Sequence, residues 1–308
     1  MTAQEPMSAQ ELGVSRDRVT AEAGEARIFD RGYRRYDGER RPASGSVFTL
    51  YLATLQRVLG IRRGAKAKIL PVLAIAISYL PAIAMVGIAA LFPPKLSDAL
   101  PGYHEYYGYV IAAILLFVAF VTPEALCPDR RYKILGIYLA SPLTRFTYVF
   151  AKAAAVLTVL SIVTIGPPLL LLIARSLLDS GPAGKDLPAL LGRIVLSGLM
   201  MSLFFSAISL AVSSFTSRKG FASAGFVLLT IMSQAVGDVL GGAPFGYRLR
   251  SGALASVVLA PFELVLRLFN EEPNIAASTG AVVAVIVGVI VVCLLILVDR
   301  YRRLEVTR

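Results

Sequence analysis

From Ile69 to Phe92 the chain carries no charged residue, and five more apolar runs of comparable length follow. A hydrocarbon core about 30 Å thick is crossed by about 20 apolar residues in helical form. Only a helix lets a single lipid-facing segment satisfy its own backbone N–H and C=O groups. The spans read as Ile69–Phe92, Tyr109–Leu126, Thr147–Leu172, Leu187–Phe215, Phe221–Leu240 and Ala277–Val298, with Gly166-Pro167-Pro168 predicted to kink the third. Composition agrees. Of the 308 residues 56% are hydrophobic and 17% charged, where a soluble domain carries about a quarter charged. The expected fold class is an all-α integral membrane protein with six transmembrane helices.

An even number of spans puts both termini on one side. The basic residues then divide unequally, with 24 Lys/Arg on the side of the termini and 7 on the other. The excess of Lys/Arg marks the cytoplasmic side, so both termini are expected in the cytoplasm and the chain in the cell (inner or plasma) membrane. This placement accounts for the net charge of +11 without nucleic acid as a partner. Cys127 and Cys293 fall near the same face and are expected to be reduced thiols. Residues 1–43 hold eight Asp/Glu and eight Arg. They lack the apolar core of a cleaved leader and read as a polar cytoplasmic arm. The chain divides into that arm, an amphipathic segment at 44–68, a six-span domain at 69–298, and a basic tail at 299–308.

Two segments lie outside the plain six-span pattern. In Val47–Lys68, residues Phe48, Leu50, Tyr51, Leu52, Leu55 and Leu59 largely share one helical face, and Arg57, Arg62, Arg63, Lys66 and Lys68 crowd the C-terminal half. That pattern predicts an N-terminal interfacial amphipathic helix with its basic residues near anionic lipid. Between spans five and six, Ala253–Phe269 is apolar but broken by Pro261, and carries Glu263 and Arg267 one helical turn apart. Its length is at the lower limit for crossing. An outer re-entrant or interfacial hairpin across 242–276 is favoured over a seventh span, which would place the basic tail outside.

Catalysis requires convergent polar groups, and few are available. His104 is the only histidine; it falls in YHEYYGY, which reads as an outer loop between spans one and two and lacks the second histidine of a zinc-protease helix. GPAGKD, residues 181–186, has neither the glycine spacing nor the Ser/Thr of a phosphate loop. Within the spans, Gln234 and Asp238 share a face, with Ser233 adjacent. An intramembrane carboxylate is costly and suggests a transport pathway, although Asp238 near the outer end of its span can equally reach water. Ser206, Ser209 and Ser213 form a stripe suited to helix packing.

The segment from Cys127 to Lys152, CPDRRYKILGIYLASPLTRFTYVFAK, combines a charged cluster, an apolar ridge, a Ser-Pro step, and then Arg145, Tyr148 and Lys152. Topology alone requires only the charge. The pattern describes a short amphipathic helix, a turn and the start of span three, an element able to lodge in a groove of a soluble partner. Pro123–Lys152 resembles the cytoplasmic loop of ABC-2 type transporter permeases. The matching positions are Glu124, Asp129-Arg130-Arg131, Leu135, Leu139, Ser141-Pro142, Arg145 and Lys152. Cys127-Pro128 and Tyr132-Lys133-Ile134 depart from the commoner pattern. IFDRGYRRYDGERR, Ile28–Arg41, also resembles a leader in a subgroup of these permeases.

The resemblance implies a permease subunit that forms the substrate pathway with a second copy or a paralogue. It further implies separate cytoplasmic ATPase subunits holding ATP and magnesium, with no catalysis and no cofactor on this chain. Glu124, Asp129, Arg130, Arg131, Lys133, Leu135, Leu139 and Arg145, within a coupling segment at 127–146, are then the expected ATPase-coupling residues. Gln234 and Asp238 are candidate pathway residues, and Pro261, Glu263 and Arg267 belong to the outer hairpin. The scarcity of charge in the spans favours an apolar or amphipathic substrate over a small ion; the resemblance points to export, with import left open. The competing readings are a membrane-embedded lipid enzyme, for which no catalytic set is found, and a non-transporting anchor or sensor that recruits a soluble partner through the same segment.

Overall fold

The computed structural model describes residues 43–61, 63–91, 101–140, 142–177, 186–242 and 249–303. The arm at 1–42, the GPAGKD loop through Lys185, Ser141 of the Ser-Pro step, the first part of the hairpin at 243–248 and the tail beyond Arg303 lie outside them. Six helices are long and apolar enough to cross a membrane: Ala65–Leu91, Tyr103–Arg131, Arg145–Leu177, Leu187–Ser214, Lys219–Gly241 and Thr279–Arg303. All six predicted spans are therefore helices. The elements are α1 (Ala43–Val58), α2 (Ala65–Leu91), α3 (Tyr103–Leu116), a π-helical turn (Phe117–Val121), α4 (Pro123–Arg131), α5 (Leu135–Leu139), α6 (Arg145–Leu177), α7 (Asp186–Ser214), α8 (Lys219–Gly241), β1 (Leu249–Arg250), a 3₁₀ turn (Ser251–Ala255), α9 (Leu259–Leu268), β2 (Ile275–Ala276) and α10 (Thr279–Arg303).

Burial sorts the spans. The central apolar window of α7 is 72% buried and that of the α3–α4 span 67%, whereas α8 and α10 are each 17% buried. The core is therefore α7 and α3–α4, with α6 beside α7; α2, α8 and α10 turn most of their apolar surface outward. Close approach of α6 and α7 uses small and hydroxylated residues, as is common where lipid supplies no hydrophobic drive between helices. Thr164 Oγ1 donates to the Gly198 carbonyl at 2.9 Å, and the Ser161 and Ser202 hydroxyls meet at 3.1 Å.

The second span begins earlier than its hydropathy suggests. The stretch YHEYYG, which reads as loop, is the first part of α3, because Tyr106 and Tyr107 are fully buried and their hydroxyls are satisfied inside the bundle. Tyr106 donates to the Ser78 carbonyl of α2, and Tyr107 to the Ile194 carbonyl of α7 at 3.0 Å. The same span slips register at Phe117–Val121, where the Thr122 N–H reaches back to the Phe117 carbonyl at 3.2 Å. A π turn displaces the regular ladder and needs an outside partner for a carbonyl. Ser209 supplies it by donating to the Val118 carbonyl at 2.9 Å. In the third span, Pro167 and Pro168 lie inside one continuous helix.

Between α8 and α10 the chain forms no seventh span among the described residues. The ten-residue α9 measures about 15 Å at 1.5 Å per residue, half of what crossing requires. β1 and β2 pair in parallel, Leu249 with Ile275 and Arg250 with Ala276, which ties the two ends of this segment together. The segment then seats on α8 through the 3₁₀ turn. A Cβ on Gly237 would lie 2.8 Å from the Ser256 Cβ, and one on Gly241 2.8 Å from the Ala253 Cβ. Only glycine permits that approach.

Candidate functional site

One end of the bundle gathers the start of α2, the α4–α5 turn, and the starts of α6 and α8 with the end of α10; it is called here the basic end. Asp129, in the last turn of α4, is its hub. The side chain is 1% exposed and accepts from Lys152 Nζ at 2.7 Å and from the Tyr148 hydroxyl at 2.8 Å. Arg57, from α1, pairs with the other carboxylate oxygen. Three separately predicted elements, α1, α4 and α6, thus meet on one carboxylate. Lys152 is itself 1% exposed and lies 5.5 Å from the Tyr148 ring centroid and 5.8 Å from that of Tyr138. Both rings offer cation–π stabilisation to a buried ammonium. Burial by itself would lower the pKa of the Arg57 guanidinium, but the adjacent Asp129 carboxylate outweighs it and the net shift is upward.

Local backbone geometry explains how α5 is presented. After α4 the Ile134 N–H bonds to the Asp129 carbonyl at 3.1 Å and the Lys133 N–H to the Arg130 carbonyl at 3.3 Å. This is the Schellman pattern, which places the residue after the cap in the left-handed region; that residue is Lys133, with φ of 53°. The chain reverses there and leads into α5. Leu135 and Tyr138 pack against the core, while Tyr132 and Ile137 are 68% and 72% exposed. Arg131 and Lys133 are also exposed, and Leu139 is half-buried.

The remaining predicted coupling residues are partly committed to the bundle. Arg130 donates to the Ser214 carbonyl, and Cys127 Sγ to that of Ser213 at 3.9 Å. Together they satisfy the C-terminus of α7, where a cation is favoured. Glu124 pairs with Arg63 at 2.8 Å and with Lys219, joining the starts of α2 and α8. Arg145 donates to the Arg302 carbonyl at the end of α10. Of the eight residues, Asp129 therefore faces inward, Glu124, Arg130 and Arg145 bind neighbouring helices, and Arg131 and Lys133 face out. Arg57, expected near lipid headgroups, turns inward instead, because the buried Asp129 offers it a stronger partner than a headgroup does. The bundle-facing side of α1 is Leu50, Thr54 and Val58, while Phe48 and Leu52 point away.

The opposite end has its own polar network. Arg267 bonds to Glu263 Oε1 through Nε at 3.2 Å and Nη2 at 3.0 Å. It also donates to the carbonyls of Ile275 at 3.2 Å and Ala277 at 2.7 Å, and to the Thr279 hydroxyl at 3.2 Å. Glu263 Oε2 accepts the Asn274 N–H at 3.1 Å. The pair locks α9 onto the start of α10, and Pro261 is buried beside it. Gln234 donates to Asp238 at 3.0 Å and accepts from Ser256 at 2.6 Å. Gln234 therefore helps seat the 3₁₀ turn, while Asp238 is exposed. His104 lies 3.3 Å from Glu271, and Cys127 and Cys293 are free thiols. Among the described residues, no three His, Cys, Asp or Glu side chains converge as metal ligands.

What the residue pattern did not reveal was the destination of Asp129 and the role of Lys133. A signal for the first was present: Lys152 sits inside an apolar run, where a charge needs a counter-ion. Neither a known family model nor a curated protein matches the chain.

Proposed function

We propose that the chain is the permease subunit of an ATP-binding cassette transporter. In this reading two copies, or this chain and a paralogue, enclose the substrate path in the cell membrane. Separate cytoplasmic ATPase subunits, carrying ATP and magnesium, drive export of an apolar or amphipathic substrate. The basic end and both termini face the cytoplasm, α1 lies along the headgroup layer, and the 249–276 segment forms the outer hairpin.

The observation that carries the proposal is the mounting of α5. A loop that served only topology would need no internal anchoring. Here the exposed Ile137, Tyr132, Arg131 and Lys133 stand on a base in which Asp129 ties α4 to α6 and α1. Breaking a buried pair of that kind costs about 3–5 kcal/mol, so a push on α5 is transmitted to two spans instead of being absorbed by the loop. A rigid lever with an exposed amphipathic tip suits a partner that moves.

The test is purification from native membranes in mild detergent, with mass spectrometry of what accompanies the chain. A stoichiometric ATPase is expected with the natural sequence and is lost in a Lys133→Glu, Ile137→Asp double variant. Both side chains are exposed, so the internal network stays intact. A chain that returns without an ATPase, under conditions that preserve its fold, would overturn the transporter reading in favour of an anchor.

A further inference from the structure

Beside the lever, a groove of about 760 Å³ opens between the start of α2, the end of α4 and the start of α8. Its cationic lining is Arg63, Arg131, Arg218 and Lys219, with Tyr132 and Phe221 as aromatic walls. Glu124 is shared by Arg63 and Lys219. Arg131 and Arg218 have no carboxylate partner among the described residues; each instead lies 5.9 Å from the ring centroid of its aromatic neighbour, Tyr132 and Phe221 respectively. Four cations thus face the groove against one carboxylate, and the surplus charge is held in place by stacking. The start of α8 adds the unspent N–H groups of a long helix, which favour an anion.

The groove runs on into an apolar face of α8. From Phe221 an exposed apolar stripe runs along α8 through Ala224, Leu228 and Ile231, spaced three and four residues apart on one face. Phe221 is 65% exposed, Leu228 61% and Ile231 60%. α8 is one of the six helices fit to span a membrane, so the stripe lies where acyl chains lie. A soluble anion would use the cations and leave the stripe. A ligand with a phosphate at one end and hydrocarbon at the other uses both.

We propose that this groove is a binding site for an anionic glycerophospholipid, with its phosphate held by Arg131 and Arg218 and its chains laid along α8. Basic pockets between membrane helices are suited to such headgroups, and arginine can meet a phosphate with two parallel hydrogen bonds. The groove shares Arg131 and Tyr132 with the exposed face beside α5 but includes neither Ile137 nor Lys133, and it requires no second protein.

The test uses the full chain alone in phosphatidylcholine nanodiscs, so its outcome is independent of whether an ATPase binds. Spin-labelled phosphatidylglycerol and phosphatidylcholine with matched chains are compared for the fraction immobilised on the protein. The natural chain is expected to prefer phosphatidylglycerol. An Arg131→Gln, Arg218→Gln variant is expected to lower that preference about thirtyfold, and Arg131→Lys, Arg218→Lys to retain most of it. If the double glutamine variant fails to fold, Arg218→Gln alone is expected to lose about fivefold. Millimolar inorganic phosphate is expected not to displace the label; displacement would show a site for free phosphate and overturn the lipid assignment. Equal binding of the two lipids, or a preference unchanged in the folded glutamine variant, would overturn the site itself.

Discussion

Asp129 and Glu263 are both buried carboxylates on short helical segments, each paired with basic side chains, yet they organise their surroundings differently. Asp129 gathers Arg57, Lys152 and Tyr148 from other elements, with Arg57 72 residues away in the chain. Glu263 takes Arg267 from its own helix and the N–H of Asn274. The far network closes on itself, because Arg267 spends its remaining donors on two carbonyls and a hydroxyl 8 to 12 residues on. The near network does not close: Arg131, Lys133 and Arg218 remain outside it and exposed. A closed pair fastens a segment. An open one fixes a scaffold and leaves charge available for a ligand or partner.

The largest effect expected from breaking this contrast is at Asp129. Asp129→Ala leaves Lys152 buried without a counter-ion and releases Arg57, so a loss of about 3–5 kcal/mol is expected. It should appear as a large drop in the thermal midpoint of the detergent-solubilised protein. Hydrogen exchange should rise in α1, α4 and the start of α6 together. Protection lost in α4 alone would mean that Asp129 does not join the three helices. Glu263→Gln comes next. The amide keeps the shape and part of the hydrogen bonding, so about 2 kcal/mol is expected. The added exchange should stay within residues 259–279, because no other span depends on the pair.

How much of this was legible in the sequence follows the same division. The spans were legible because hydropathy integrates over about 20 residues and tolerates single polar positions. The Glu263–Arg267 pair was legible because its partners are one helical turn apart. Asp129 was not, since nothing local distinguishes a carboxylate in a basic loop from one that folds back under it. YHEYYG was misread for the converse reason: hydroxyls that look like loop chemistry are satisfied on other helices. The seating of the 249–255 segment left a trace in the small-residue spacing of Gly237 and Gly241, but the trace does not say which element approaches.

That seating supplies the third test. Gly237→Val forces the new side chain into Ser256 Cβ, which would lie 2.8 Å from the first added carbon. A loss of about 1–2 kcal/mol is expected from overpacking. Exchange should rise in the 3₁₀ turn and α9, with the basic end unaffected. A matching loss of protection at α4 and α5 would show that the two ends are mechanically coupled, and the contrast between them would need revision.

The smallest expected effect sharpens the comparison most, because it sets one residue at each end in the same backbone role. Lys133 after α4 and Asn270 after α9 both occupy the left-handed position of a Schellman turn, with φ of 53° and 61°. The Glu271 N–H reaches the Leu266 carbonyl at 2.9 Å, as the Ile134 N–H reaches that of Asp129. Asparagine adopts this conformation readily, whereas lysine carries a Cβ penalty of about 1–2 kcal/mol. Glycine removes the penalty and gives back part of the gain through the greater entropy of the unfolded chain. Lys133→Gly is therefore expected to stabilise the protein by up to about 1 kcal/mol, and Asn270→Gly to change it by less or to weaken it. A strained lysine kept at the turn that leads into α5 is consistent with use of its side chain. Under the proposed function, Lys133→Gly should be the more stable protein and the poorer partner for the ATPase. If it gains stability and still retains the ATPase in full, the lysine serves no docking role and its strain goes unexplained.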